Sequence, residues 1–242
     1  MHYKNLLLSI FAIMSTAIYA AEIVDLYVDT AHFDDGDKIP YVLTPSRIMP
    51  PKYVLIMMPG GNGTMGIQKN EDGTPFFNGK SNFLIASRVL LSDDDIATIS
   101  IDRGRSLSRM RAVVADIKSK YPQTKIYIAG TSLSTTETIY QSENMDGEIA
   151  GFIHTSSVSS IGGLDTRKSK SRNLIVIHKY DGCRVTPASS GIENHENYGT
   201  DLIVMEGGSN EADVCGPVSH HGYYGIRDEV TKKIREWIKR SY

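Results

Sequence analysis

A serine, a carboxylate and a histidine each follow a strand-like segment of this sequence. Ser132 comes directly after the apolar run KIYIAG, Asp181 follows NLIVIHKY, and the loop after DLIVMEGG ends in His221. Because ligands of open parallel sheets bind beyond the carboxyl ends of the strands, we expect these side chains to lie together. A serine hydroxyl becomes a good nucleophile when a histidine, itself oriented by a carboxylate, removes its proton. The pattern therefore predicts nucleophilic chemistry at one edge of a sheet.

The serine and the carboxylate each have a rival close by. Ser134 competes with Ser132, although its neighbours fit a helix better than a turn, and Ser132 itself could simply cap the following helix. Asp213 lies in the loop after the last strand-like run and is the main competitor of Asp181 as the acid. Both alternatives remain open at the level of sequence.

The histidine has a rival in its direct neighbour. We prefer His221 to His220 because Gly222 leaves room beside it for a ring that faces a cleft. The remaining candidates fall within strand-like or polar helical runs and are expected to be structural: His154, His178 and His195.

Strand-like and helix-like segments alternate along the chain, which indicates βαβ units. Two antiparallel-looking runs open the pattern, EIVDLYVDT and KIPYVLTP, joined by the turn FDDGDK. Near-continuous apolar runs such as YVLIMM are typical of strands buried on both faces. The helical runs are NFLIASRVLLS, SLSRMRAVVADIKSKYP, the segment after Ser132, and GIRDEVTKKIREWIKR. The prediction is an α/β fold with a mostly parallel central sheet covered by helices on both faces.

The segment GTSLS at residues 130–134 resembles the G-x-S-x-G turn of the α/β-hydrolase superfamily. The resemblance extends from about Tyr53 onward, and serine replaces the last glycine of the motif. It implies an α/β-hydrolase fold and a catalytic triad of Ser132, Asp181 and His221. It also implies an oxyanion hole formed by the backbone N–H of Leu133 together with a donor from the loop after the YVLIMM strand. That second donor is Gly61 or Asn62.

The first residues have the pattern of a signal peptide, with an apolar core at 6–18 and small residues before a cleavage point after Ala20. We therefore predict a signal peptide at residues 1–20 and a single α/β-hydrolase domain at 21–242, exported to the periplasm or secreted. An exported chain with two cysteines is expected to pair them. A bond between Cys183 and Cys215 would tie the loop of the acid to the loop of the histidine. The segments HKYDGCRVTP and CGPVSHHGYYGI are similar to those of small exported bacterial hydrolases of the esterase and dienelactone-hydrolase type, which have no lid domain.

The composition excludes several other classes of function. A formal net charge of −2 gives no attraction to nucleic acid, and we expect no stable membrane insertion once the signal peptide is removed. No phosphate-binding, dinucleotide-binding or metal-ligand motif is present in the sequence, so no cofactor and no metal are expected. The leading hypothesis is a serine hydrolase that cleaves small carboxylic esters, with the loop at 60–80 forming part of the acyl pocket. The alternatives are an amide or peptide hydrolase, an acyltransferase, or a binding protein that keeps the fold without the activity.

Overall fold

The computed structural model describes residues 27–32, 36 and 38–240. The predicted signal peptide and most of the FDDGDK turn lie outside these residues. The strands within them are β1 Tyr27–His32, β2 Lys38–Thr44, β3 Tyr53–Met58, β4 Gln68–Lys69, β5 Pro75–Phe76, β6 Ile96–Ser100, β7 Lys125–Thr131, β8 Gly151–Thr155, β9 Arg172–His178 and β10 Asp201–Met205. Eight of these strands form one sheet in the order β1-β2-β6-β3-β7-β8-β9-β10, and β4 and β5 form a separate small hairpin.

Six adjacent strands of the sheet are parallel, in the order β6-β3-β7-β8-β9-β10. The pairs β1–β2 and β2–β6 are antiparallel. The helices that join or follow the strands are α1 Phe83–Ala86, α2 Arg88–Leu91, α3 Leu107–Lys120, α4 Thr135–Asn144, α5 Ala188–Tyr198 and α6 Arg227–Lys239. This arrangement confirms the predicted α/β class and the mostly parallel sheet. It also brings the ends of β3, β7 and β9 to one edge of the sheet.

Both faces of the central strands are buried, which explains their uninterrupted apolar sequences. Successive side chains of β3 point to opposite faces. Leu55 and Met57 pack in the core beneath α1, α2 and α6, whereas Val54 and Ile56 pack in a second core beneath α3. No helix within the described residues combines the length and the apolar character needed to cross a lipid bilayer.

The helix expected over NFLIASRVLLS is interrupted at one residue. Ser87, with φ −92° and ψ 4°, separates α1 from α2. The helical hydrogen bonds nevertheless continue through it, since Ser87 N–H donates to Phe83 O and Leu91 N–H donates to Ser87 O. The apolar spacing of the sequence continues across Ser87, so it gave no sign of this break.

A buried histidine couples the stability of the fold to pH. The His154 ring, on β8, lies 2.8 Å from Thr138 Oγ1 through Nδ1 and 3.2 Å from Asn173 Oδ1 through Nε2. Burial lowers the pKa of His154 from 6.5 to about 4. Between these two values the unfolded chain binds a proton that the folded state does not, so stability falls as the pH is lowered through this window.

We therefore expect the free energy of unfolding to lose about 3 kcal/mol from this residue between pH 7 and pH 4. Urea unfolding of His154→Leu should show a shallower pH dependence than the wild type. The exposed His195 provides the control, and His195→Gln should keep the wild-type slope. Equal slopes in all three proteins would contradict the assignment to His154.

Candidate active site

The turn after β7 holds Ser132 in a left-handed backbone conformation. Its φ is 55°, a conformation that costs a non-glycine residue about 1–3 kcal/mol and is found preferentially at functional sites. Ser132 opens a single 3-10 turn, Ser132–Ser134, which leads directly into α4. Two glycines make room for this sharp turn. A Cβ on Gly130 would lie 2.7 Å from Ser134 O, and a Cβ on Gly60 would lie 2.9 Å from Ser132 Cβ.

Ser134, the residue that departs from the glycine of the motif, is part of the turn. It is completely buried, and its Oγ accepts a hydrogen bond from Thr131 N–H at 2.7 Å. The same Oγ lies 2.9 Å from both Met58 O and Thr131 O, so its proton has a carbonyl partner as well. The hydroxyl therefore holds the end of β7 against β3. These contacts give Ser134 a structural role.

The acid and the histidine are in direct contact beyond the end of β9. Asp181 Oδ2 lies 3.0 Å from His221 Nδ1, and both side chains are almost fully buried, at 2% and 7% exposed. The second carboxylate oxygen, Oδ1, accepts a hydrogen bond from Cys183 N–H at 2.9 Å. Thr186 completes the group, because its Oγ1 lies 3.0 Å from the same imidazole nitrogen and 3.3 Å from Asp181 Oδ2. Thr186 is not among the site residues predicted from the sequence.

The two adjacent histidines of the 3-10 turn His220–Gly222 have different surroundings. The ring of His220 stacks on that of His178, with centroids 4.3 Å apart and an interplanar angle of 6°, and its Nδ1 lies 3.2 Å from Tyr180 O. The ring of His221 meets Asp181 instead. Of the two neighbours, only His221 contacts the carboxylate.

Asp213, the alternative acid, repeats the local geometry of Asp181 without its contact to histidine. Its Oδ1 accepts a hydrogen bond from Cys215 N–H at 3.0 Å, and its side chain is exposed. Two further histidines also have protein partners, as expected for structural residues. His178 Nε2 donates to Gly207 O at 2.8 Å, and His195 Nδ1 donates to Thr200 O at 2.7 Å.

Cys183 and Cys215 form a disulfide bond, as predicted. The bond links the loop after Asp181 to the loop that leads to His221. In the chain-entropy treatment, a cross-link across 32 residues of sequence separation stabilises a protein by about 3–4 kcal/mol.

We expect the double variant Cys183→Ser/Cys215→Ser to lose about 3–4 kcal/mol of unfolding free energy. Its kcat should also fall, because the loop that carries Asp181 loses its link to the loop of His221. Urea unfolding with and without dithiothreitol measures the first effect. Reductant should destabilise the wild type and leave the double variant unchanged. A wild type whose stability does not change after complete reduction, verified by thiol titration, would refute the structural role of the bond.

A cavity of about 180 Å³ opens beside Ser132 and His221. Ser132 Oγ and His221 Nε2 make no hydrogen bond to any described residue, so both atoms are available to a bound molecule. The residues that line the cavity are Gly60, Gly61, Ser81, Asn82, Phe83, Thr131, Ser132, Cys215, Gly216, Pro217, His221 and Gly222. Of the loop at 60–80, only its first two glycines reach the cavity, and Asn62 and Leu133 are not among the lining residues. Much of that loop packs into the core instead, through Met65, Ile67 and Phe77.

Arg103, which is not among the residues predicted from the sequence, forms hydrogen bonds with the glycine loop at residues 60–63. Its backbone N–H donates to Gly63 O, and its Nη1 donates to Gly61 O, both at 2.8 Å. A Cβ on Gly63 would lie 2.5 Å from Arg103 Cβ, so this close approach requires glycine. The guanidinium also lies 3.9 Å from Glu137 on α4, the helix that follows Ser132. Arg103 thus links the glycine loop to the helix behind the serine.

Comparison with known proteins gives similarity in structure only. No family model matches the sequence, and no curated protein matches it either. XC6422 from Xanthomonas campestris, described as an α/β serine hydrolase without a lid, has a TM-score of 0.60 at 12% identity, over 90% of this chain and 97% of that protein. Est1E from Butyrivibrio proteoclasticus has a TM-score of 0.60 at 17% identity, over 88% of this chain and 97% of its own.

Dienelactone hydrolase from Anabaena variabilis has a TM-score of 0.59 at 13% identity, over 89% of this chain and 97% of that protein. These similarities span nearly the whole of each solved chain. The chain therefore has the α/β-hydrolase fold.

Proposed function

We propose that this protein is a serine hydrolase that cleaves carboxylic esters through an acyl-enzyme. The observation that carries the proposal is the buried contact of 3.0 Å between Asp181 Oδ2 and His221 Nδ1, with His221 and Ser132 lining one cavity. Ser132 adopts a left-handed turn at the end of β7, and Nε2 of His221 makes no hydrogen bond to any described residue, so it is left for a substrate or for Ser132.

In the proposed mechanism, His221 Nε2 takes the proton of Ser132 Oγ as that oxygen forms a bond to the acyl carbon. Asp181 and Thr186 keep the other imidazole nitrogen protonated and stabilise the imidazolium that results. The tetrahedral intermediate collapses, the bond to the leaving alcohol breaks, and His221 returns its proton to that oxygen. Water then attacks the acyl carbon with His221 again as the base, the bond from that carbon to Ser132 Oγ breaks, and His221 returns the proton to Oγ as the carboxylic acid leaves.

The oxyanion of the intermediate would be bound by the backbone N–H groups of Leu133 and Gly61. Gly61 is preferred to Asn62 because Gly61 lines the cavity. The carboxamide oxygen of Asn62 instead accepts a hydrogen bond from Thr64 N–H at 3.2 Å, within the loop. The carbonyl oxygens of Gly60 and Gly61 also have hydrogen-bond partners, since Gly60 O accepts from Gly63 N–H and Gly61 O accepts from Arg103 Nη1. These bonds fix the peptide planes before any substrate binds, as efficient oxyanion stabilisation requires.

The proposed substrates are small esters, in keeping with a cavity of about 180 Å³ beside Ser132 and His221. The proposed place of action is outside the cytoplasm. The disulfide supports this, because such bonds persist in oxidising compartments and are rare elsewhere.

The test is turnover of p-nitrophenyl acetate, butyrate and octanoate, beside the matched p-nitroanilides, with covalent labelling by a fluorophosphonate. We expect the two short esters to be hydrolysed fastest, the anilides to react far more slowly, and the label to map to Ser132. Preferred cleavage of the anilides would change the substrate class to amides. If the folded protein shows no turnover and no labelling, the serine-hydrolase proposal is refuted and a binding role for the fold remains.

A further inference from the structure

Asn82 contributes a polar side chain to the wall of the cavity. Its carboxamide makes no hydrogen bond to any residue that the structure describes, and its Oδ1 is buried away from solvent. The cavity that Asn82 lines is the one that contains Ser132 and His221.

Capping of a helix does not explain this asparagine. Asn82 directly precedes α1, where an asparagine side chain commonly accepts a hydrogen bond from the first turn. Its side chain makes no such bond here. Its backbone is nonetheless fixed, since Asn82 N–H donates to Gly79 O at 2.9 Å and Ala86 N–H donates to Asn82 O at 2.7 Å. The main chain therefore holds a free carboxamide at the cavity wall.

The amide nitrogen lies beside the serine turn. Asn82 Nδ2 is 3.4 Å from the point that a Cβ on Gly60 would occupy, and Ser132 Cβ is 2.9 Å from the same point. The carboxamide and the serine thus approach the α-carbon of Gly60 on the side that a side chain would fill. The absence of a side chain on Gly60 leaves that space open between them.

We propose that Asn82 Nδ2 donates a hydrogen bond to the acyl oxygen as negative charge develops on it, as a side-chain member of the oxyanion hole. This inference rests on the proposed serine-hydrolase function. The donor is the amide nitrogen because Oδ1 is buried out of reach. A primary amide keeps its donor protons throughout the pH range of the enzyme, and the backbone hydrogen bonds of Asn82 keep the residue at the cavity wall.

The test compares Asn82→Ala and Asn82→Asp with Asn144→Ala, the same change at an exposed asparagine that ends α4 and does not line the cavity. Loss of one oxyanion donor typically lowers kcat by about 100-fold or more, so we expect a decrease of that order in Asn82→Ala with little change in KM. Asn82→Asp should be at least as slow, because it places a negative charge beside the oxyanion. Asn144→Ala should retain the wild-type kcat.

A second readout separates an oxyanion donor from a structural residue. A trifluoromethyl ketone that forms a hemiketal with Ser132 creates the same oxyanion, so its affinity should fall in Asn82→Ala by the factor by which kcat/KM falls. Unchanged kcat, or a rise in KM alone, would overturn the proposal and leave a ground-state contact at most. A loss of activity that merely follows a lowered melting temperature would also overturn it. If the wild type neither turns over esters nor takes up the fluorophosphonate, the serine-hydrolase function itself fails, and the donor has no oxyanion to bind.

Discussion

Replacing Ser132 by alanine is expected to lower kcat for p-nitrophenyl butyrate by at least about 10⁴-fold and to abolish fluorophosphonate labelling. Without Oγ no acyl-enzyme can form, and the only remaining reaction is direct attack by water on an ester held in the cavity. The fold should remain intact, because Ser132 Oγ bonds to no described residue. Steady-state turnover at enzyme concentrations high enough to detect a residual rate, with circular dichroism as the check on folding, measures the effect.

Ser134→Ala is the matched control, and it also tests the rival nucleophile. Removing its buried hydroxyl leaves Thr131 N–H without its partner, so stability should fall by about 1–3 kcal/mol. The variant should still be labelled at Ser132 and should keep its activity under conditions in which it is folded. Loss of labelling in folded Ser134→Ala, with labelling retained in Ser132→Ala, would transfer the nucleophile to Ser134.

The fold was accessible from sequence because its central strands are buried on both faces. A run such as the one at β3 remains apolar at every position, and short helical segments separate it from the next run, which is the pattern of a parallel α/β sheet. Residues that follow such strands must meet at one edge, whatever the detailed packing. For this reason the chain order of Ser132, Asp181 and His221 was enough to predict that they share an edge.

The choice between neighbouring candidates needed coordinates. A 3-10 turn rotates successive side chains by about 120°, so His220 and His221 diverge by a third of a turn, and only the register of the turn decides which faces Asp181. Asp181 and Asp213 both precede a cysteine by two residues and both accept its backbone N–H. The spacing to the cysteine therefore does not distinguish them, and only the position of Asp181 directly after a strand-like run favoured it in the sequence.

Three residues of the site have no signal in the sequence at all. Thr186, Arg103 and Asn82 acquire their roles from contacts across the fold: with the imidazole of His221, with the glycine loop, and with the space beside Gly60. A threonine, an arginine and an asparagine in loops are common surface residues. Such supporting positions become visible only when the distances between distant segments are known.

Asp181→Asn is expected to lower kcat by about 10³–10⁴-fold with little change in KM. The side chain keeps its size, so the bond from Cys183 N–H to one oxygen and the packing of the loop can be retained. An amide NH₂ group that faces His221 Nδ1 favours the tautomer with its proton on Nε2. That nitrogen then has no lone pair with which to accept the proton of Ser132, and the imidazolium loses the adjacent negative charge that stabilises it.

Asp213→Asn is the control that makes this result specific, because Asp213 occupies the equivalent place on the other side of the disulfide. Its carboxylate oxygen accepts Cys215 N–H, a bond that an amide oxygen can also make, and its exposed side chain bonds to no imidazole. We expect Asp213→Asn to remain within about twofold of the wild-type kcat, in keeping with the small effects of most surface changes. Equal losses in the two variants would mean that activity depends on the turns between each aspartate and its cysteine, and not on the carboxylate beside His221. A large loss confined to Asp181→Asn would assign the acid to the one aspartate that contacts the imidazole.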